Sequence, residues 1–231
     1  MTNVVRRLVM AVALPALAAV PAVAQEAPFH GTRGYMSLFG GTVWDGETTG
    51  NVIFEGGARV APHLLAFGNV GRFNDLQPDL TPSINSETVA LAAQGLDVNG
   101  SGTLPASYLL GGLRAEFVTR RRALPYVLGG LGTARLKPSE QFMFAAGALP
   151  DGTVPEGGTD VTTTLETSGV LSALSHTNAF MYTLGGGVQV PVATHWAADV
   201  GYRYSRIAAD STLSADALGT STMTIGFGYR F

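Results

Sequence analysis

The sequence contains no cysteine. In an exported protein a disulfide staple would be available, so its absence leaves backbone pairing and burial to hold the fold. Thiol chemistry and cysteine-based metal sites are excluded with it. Charged residues make up only 13% of the chain, and acidic ones outnumber basic ones by 17 to 14. The basic surface that nucleic acid requires is therefore missing. Apolar runs are short: none reaches the roughly 20 residues of a membrane-spanning helix without charges or repeated glycines. Histidines are few and scattered: His30 lies near the start, and His63 and His195 lie in short connections, with only His176 elsewhere. They form no metal-ligand spacing, and no cofactor or metal is expected.

An export signal is present. Arg6 and Arg7 form a basic start, Leu8 to Val20 is apolar, and Ala22-Val23-Ala24 is a small-x-small cleavage site. The chain is expected to divide into a signal peptide, residues 1–24, and one domain, residues 25–231. Without Arg6 and Arg7, 12 of the 14 basic residues remain against 17 acidic ones, a net charge of −5.

The last eleven residues, Ser221 to Phe231, alternate without a break. Met223, Ile225, Phe227, Tyr229 and Phe231 share one face, and Thr222, Thr224, Gly226, Gly228 and Arg230 share the other. A period of two is a β-strand. Glycine, threonine and arginine suit a narrow, polar interior, so the apolar face must meet lipid, with its aromatics at the interface.

Seven more strands are expected: 34–44, 51–60, 64–73, 107–118, 124–136, 179–190 and 196–207. Each is close to the roughly 9–11 residues of a tilted transmembrane strand. Glycine pairs mark five of the eight: Gly40-Gly41, Gly56-Gly57, Gly111-Gly112, Gly129-Gly130 and Gly185-Gly186. Short connections (Ala61 to His63, Thr119 to Ala123, Pro191 to His195) alternate with longer ones (Asp45 to Gly50, Asn74 to Ala106, Lys137 to Asn178, Ala208 to Thr220). Outer-membrane barrels have this asymmetry, with short periplasmic turns and long external loops. The fold class expected is all-β, an eight-stranded antiparallel up-and-down transmembrane barrel, with both termini on the short-turn side.

Charges follow the same alternation. Glu55 and Arg59 share a face against Phe54 and Val60. Arg114 and Glu116 oppose Leu113 and Phe117, and Asp199 and Arg203 oppose Val200, Tyr202 and Tyr204. A cation at the lipid midplane costs roughly 2–4 kcal/mol, so Glu55, Arg59, Arg114, Glu116, Asp199, Arg203 and Arg230 are expected to point inward and pair across the lumen. Arg206 breaks the parity at the outer headgroup level. The first, third and fifth strands leave their faces unassigned. Long connections carry most of the acidic residues, Asp75, Asp97, Glu140 and Asp160 among them, and are expected as solvated loops. Arg120 to Arg122 fall in a short turn.

Given these residues, the chain resembles the eight-stranded outer-membrane β-barrel family, of the OmpA transmembrane domain and opacity-protein type. The carriers are Leu124-Pro125-Tyr126 leading into Gly129-Gly130, Gly185-Gly186-Gly187-Val188 before a short turn, and the terminal Gly228-Tyr229-Arg230-Phe231. The resemblance implies outer-membrane localisation, contact with outer-membrane lipid and lipopolysaccharide, and no uniform biochemical activity. It also implies that Phe227, Tyr229 and Phe231 serve the barrel-assembly machinery as a C-terminal signal. No peptidoglycan-binding domain is expected after Phe231. The role expected is non-enzymatic display of long acidic external loops for envelope structure, adhesion or ligand recognition, with the interior plugged by ion pairs. The external ligand is left open.

Asp97-Val98-Asn99-Gly100-Ser101-Gly102 has the start of a calcium loop but Tyr108 where the bidentate glutamate belongs, so an Asx/Gly turn is expected instead. Ser175-His176-Thr177-Asn178 is similar to the H-x-S-N segment of outer-membrane lipid A deacylases, with Asn178 in place of the nucleophile. A lipid A-modifying enzyme and a narrow passive channel are the alternatives. A soluble ligand-binding barrel is opposed by the outward row Phe227, Tyr229 and Phe231. A short helix within Glu87 to Gln94 is the only other element expected.

Overall fold

In a computed structural model, residues 32–45, 47–76, 81–117, 123–171, 176–208 and 217–231 are described. The expected signal segment and the Arg120–Arg122 turn lie outside them.

The elements in chain order are β1 (Gly34–Asp45), β2 (Glu47–Ala61), β3 (Leu64–Phe73), α1 (Thr81–Ala93), β4 (Leu96–Thr103), β5 (Ala106–Glu116), β6 (Leu124–Leu136), β7 (Ser139–Gly147), α2 (Thr162–Thr167), β8 (Thr177–Pro191), β9 (Trp196–Ala208) and β10 (Leu218–Arg230). Eight strands close into an antiparallel barrel in the order β1-β10-β9-β8-β6-β5-β3-β2, and β4 and β7 form a separate two-stranded sheet. Closure comes from β1 against β10, from Tyr35↔Arg230 to Trp44↔Ser221. It removes the open edges that a hydrocarbon environment does not tolerate.

Alternation decides which side chains meet which solvent. Leu38, Phe54, Leu113, Leu184, Ile225 and Phe227 all stand outside, 50–60% exposed. The residues next to them along each strand point inward. In every one of the five glycine pairs one member faces in and one faces out. Inward Gly57 gives room to the Tyr35 ring, with which a Cβ would collide, whereas outward Gly56 has nothing closer than Tyr35 O at 3.8 Å.

At one end the strands join through tight links. Pro62 and His63 connect β2 to β3, and His63 has φ 65°, the left-handed geometry that the second central residue of a proline-led turn adopts. At this rim the β2–β3 register shifts between Arg59 and Ala61.

At the other end the expected loop from Asp45 to Gly50 is not long. The β1–β2 ladder continues through Trp44↔Thr48 and Asp45↔Glu47, leaving only position 46 between the strands. The two longest connections are not simple solvated loops either. They supply α1, β4, β7 and α2, which build a cap. Asp97 to Gly102, expected as a turn, is extended in β4 and paired with β7 from Leu96↔Gly147 to Thr103↔Ser139. Extended backbone sends Asp97, Asn99 and Ser101 to one exposed face instead of wrapping them round a cation.

The cap ladder prolongs the β5–β6 ladder. Ala106↔Leu136 closes one and Thr103↔Ser139 opens the other. Pro105 and Pro138 lie between, and proline removes a ladder donor. The break is bridged by Lys137 N–H donating to Pro105 O at 3.0 Å, Leu104 N–H donating to Asp75 Oδ1 at 2.8 Å, and Leu76 N–H donating to Leu104 O at 2.9 Å. Helix α1 has Pro82 in its first turn, where no intrahelical donor is needed. It stops at Gly95, φ +84°, a left-handed C-terminal residue.

The cap and the upper barrel share one apolar core. Phe39, Ile53, Phe73, Leu110, Met181 and Ile207 from the wall join Ile84, Leu96, Val98, Phe142, Phe144 and Leu165 from the cap in one cluster. The interior is thus not polar throughout, as the terminal strand alone suggested. A lid that excludes water lets the upper lumen fill with apolar side chains.

Candidate functional site

Below that apolar layer lies the cluster of ionised groups. Glu55, Glu116 and Asp199 provide three carboxylates and Arg114, Arg203 and Arg230 three guanidiniums, all less than 5% exposed. The count balances. Every barrel strand sends at least one polar side chain: Tyr35 from β1, Glu55 from β2, Asn69 from β3, Arg114 and Glu116 from β5, Tyr126 from β6, Gln189 from β8, Asp199 and Arg203 from β9, and Arg230 from β10.

Glu55 is the most heavily satisfied member. It receives Tyr35 Oη at 2.8 Å and Asn69 Nδ2 at 3.3 Å, and it meets Arg203 Nη1 at 2.8 Å and Arg114 Nη1 at 3.6 Å. Arg114 also reaches Glu116 Oε1 at 3.3 Å and Asp199 Oδ2 at 3.7 Å. These three contacts of Arg114 are at ion-pair distance but off hydrogen-bond geometry, so they act as charge neutralisation. Aromatic rings supply the rest of its surroundings: its guanidinium carbon lies 3.6 Å from the Tyr126 ring centre and 4.9 Å from that of Tyr35. Arg230 donates through Nη1 to Glu116 Oε2 at 3.2 Å and through Nη2 to Glu116 Oε1 and Gln189 Oε1. Buried charges survive only when paired in this way.

Of the seven expected lumen residues, six meet here, and Arg59 does not. Arg59 keeps the ladder register of Glu55, opposite Leu65, but it lies at the short-turn rim with its side chain exposed, and its N–H donates to Arg33 O at 2.8 Å. Parity gives its face but not its depth, and it stands four residues nearer the turn than Glu55. Tyr35, Asn69, Tyr126 and Gln189 were missed. Tyr126 could have been found from register: it pairs with Glu116 across the β5–β6 hairpin, and registered residues share a face.

Phe227, Tyr229 and Phe231 stand outside, 60, 40 and 53% exposed. Tyr229 stacks on His195, 5.6 Å between centres, and meets Trp196 edge-on at 5.3 Å, an aromatic girdle at the short-turn rim. His176 is exposed just before β8. Among the described residues no group of three or more histidine or acidic side chains is arranged to hold a metal ion.

In the cap, Asp160 Oδ1 accepts from Thr162 N–H at 3.0 Å and Thr162 Oγ1 at 2.7 Å, and its Oδ2 accepts from Gln141 Nε2 at 2.9 Å. These donors hold its carboxyl below the usual range. Glu140 behaves oppositely. Burial, reinforced by the neighbouring Glu87 and then Glu166, pushes it up to about 7.

A closed cylinder with apolar side chains outside and paired ionised ones inside is an integral membrane β-barrel. The chain belongs to the outer membrane protein beta-barrel domain family, whose model matches residues 9–231, and it is an outer-membrane protein. Its fold is similar to that of the Neisserial surface protein A, at 14% identity and a TM-score of 0.52, over 90% of this chain and 100% of that one. The N-terminal β-barrel domain of Pseudomonas aeruginosa OprF matches at 10% identity and a TM-score of 0.48, over 89% of this chain and 100% of that one. Ail, the attachment invasion locus protein of Yersinia pestis, matches at 13% identity and 0.45, over 87% and 99%. Among curated proteins, none has a sequence that matches this chain.

Proposed function

We propose that this protein is a closed, non-enzymatic barrel that presents a folded cap outside the cell, with the short turns on the periplasmic side. The observation that carries the reading is the filled lumen. Six ionised side chains occupy its middle, less than 5% exposed, and one apolar cluster runs from the wall above them into the cap. An eight-stranded barrel is just wide enough to be filled by its own side chains. The short links and Phe231 share one rim, which is the arrangement of periplasmic turns. The cap is then the surface that meets external partners, by envelope contact, adhesion or ligand capture.

Planar-bilayer recording tests the closed state. Purified barrel should give no steady conductance above the bare bilayer, and stable openings would overturn the proposal. Mass spectrometry of lipid A tests the absence of enzymatic activity. Cells with and without the protein, and with His176→Ala, should yield the same lipid A species, and a species that disappears with His176 would make the protein a modifying enzyme.

A further inference from the structure

The outer wall changes character at its long-loop end. Arg72 of β3 pairs with Ser107 of β5, Ser107 with Arg135 of β6, and Arg135 with Asn178 of β8. The four residues form one row across four neighbouring strands. All are exposed, and registered neighbours share a face, so all project from the outside of the cylinder. The next outward row towards the middle of the wall, on the same strands, is Val70, Leu109, Thr133 and Phe180. Val70, Leu109 and Phe180 are 49–60% exposed and face acyl chains. The Arg72–Asn178 row is therefore the first polar row above the apolar band. Lys137 follows two residues beyond Arg135 and is exposed as well.

Paired Cα atoms on adjacent strands lie about 5 Å apart, which places Arg72 and Arg135 about 10 Å from one another with Ser107 between them. Arginine carries its planar fork on a long, flexible stem, so two such forks converge across that gap on one anion. None of the ion pairs among the described residues uses Arg72, Arg135 or Lys137. Arg206 also points outward, but its registered neighbours are Tyr182 and Gly219, so no second cation stands beside it.

We propose that Arg72, Ser107 and Arg135, with Lys137 above them, form a binding site on the barrel wall for a phosphate group of outer-leaflet lipopolysaccharide. The chemistry fits on three counts. The row lies where headgroups begin. Its charge is positive, although the chain as a whole is acidic. Two guanidinium forks flanking a hydroxyl offer the bidentate donors that a phosphate dianion accepts. The glycolipid is chosen over a phospholipid because the long-loop end is the outer end in the orientation proposed above, whereas the phosphate chemistry does not depend on that orientation.

The test uses the purified, folded barrel in detergent and native mass spectrometry with three probes: bisphosphorylated lipid A, lipid A stripped of phosphate, and phosphatidylglycerol. The expected result is retention of bisphosphorylated lipid A with a tenfold or greater loss in the Arg72→Ala/Arg135→Ala double variant. Stripped lipid A should bind the parent no better than bisphosphorylated lipid A binds the variant. Arg33→Ala, at the opposite rim, should leave binding unchanged, and Arg72→Lys/Arg135→Lys should restore part of it. A heat-modifiable gel shift confirms that each variant is folded. Equal binding by the parent and the double variant, or an equal loss in Arg33→Ala, would overturn the site. Phosphatidylglycerol binding as tightly as lipid A, with the same loss, would overturn the choice of glycolipid. Detergent binding does not depend on which end faces out, so a failure here is distinct from a failure of the orientation.

Discussion

Arg114 and Tyr126 are stacked in the barrel centre, 3.6 Å from guanidinium carbon to ring centre, while the Tyr126 hydroxyl donates to Asp199 Oδ1 at 2.7 Å. One ring thus covers the cation and restrains the carboxylate that the cation neutralises. Tyr35 repeats the arrangement with Glu55, at 4.9 Å and 2.8 Å. Arg114 is held between two rings whose hydroxyls each bind one of its counter-charges.

Removing that cation leaves three buried carboxylates facing two guanidiniums. Arg114→Leu is expected to destabilise the barrel by about 3–5 kcal/mol, measured by urea unfolding in lipid vesicles. Arg114→Lys should recover only part, because a point charge does not stack as the planar group does. A loss below about 1 kcal/mol in Arg114→Leu would show that the cluster contributes little to stability.

Gly57→Ala and Gly56→Ala should separate the two faces of the wall. A Cβ on Gly57 collides with the Tyr35 ring and approaches Ala66 O at 2.9 Å, whereas one on Gly56 meets nothing closer than 3.8 Å. The inward change is expected to cost about 1–3 kcal/mol and to lower the heat-modifiable fraction. The outward change should leave that fraction as it is.

How much of this was legible in sequence follows from where alternation reaches. All eight wall strands could be read, with the largest displacement four residues, at the start of β2, because lipid outside and charge inside force a strict period of two. Charges on β5, β9 and β10 were placed by that period alone. Arg59 escaped because alternation gives a face but not a depth, and it lies at the turn-side rim. Arg72 and Arg135 were unassigned because glycines on both faces of β3 and β6 blur the alternation. Of the cap, only the helix expected within Glu87 to Gln94 was legible, and it is longer, Thr81–Ala93; the strands were not, for another reason. Leu96–Thr103 is rich in residues that disfavour strands, and its partner Ser139–Gly147 lies far along the chain. Only the long-range pairing makes it β, so local motif reading turned it into a loop.

Phe142 tests whether the cap folds as a unit on the barrel. It is fully buried, and its N–H donates to Thr162 Oγ1 at 2.8 Å. Phe142→Ala is expected to cost about 3–5 kcal/mol, confined to the cap. Protease added to intact cells should then cut within residues 139–171 while the barrel stays heat-modifiable. Cleavage only after the outer membrane is permeabilised would reverse the proposed orientation.

Glu140 gives the cap a pH dependence. Its folded carboxyl titrates near 7, above the usual 4.5, chiefly through burial and then through Glu87 and Glu166. The folded cap therefore binds this proton more tightly than the unfolded chain does. Its contribution is fully present below about 4.5 and is lost as pH rises to about 7. Exchange of the Phe142 and Phe144 amides, corrected for intrinsic rates, should show less protection at pH 8 than at pH 5. Glu140→Gln should flatten the difference, and an unchanged difference in that variant would assign it to other groups.

The two prolines at the mouth, Pro105 and Pro138, have a bearing on engineering. They divide one continuous ribbon into a part fixed by the bilayer and a part held only by the core it shares with the mouth of the barrel. Foreign binding segments grafted in place of Leu96–Thr103 and Ser139–Gly147 would inherit a rigid pedestal, provided that they bring enough apolar surface to stopper the cylinder beneath them.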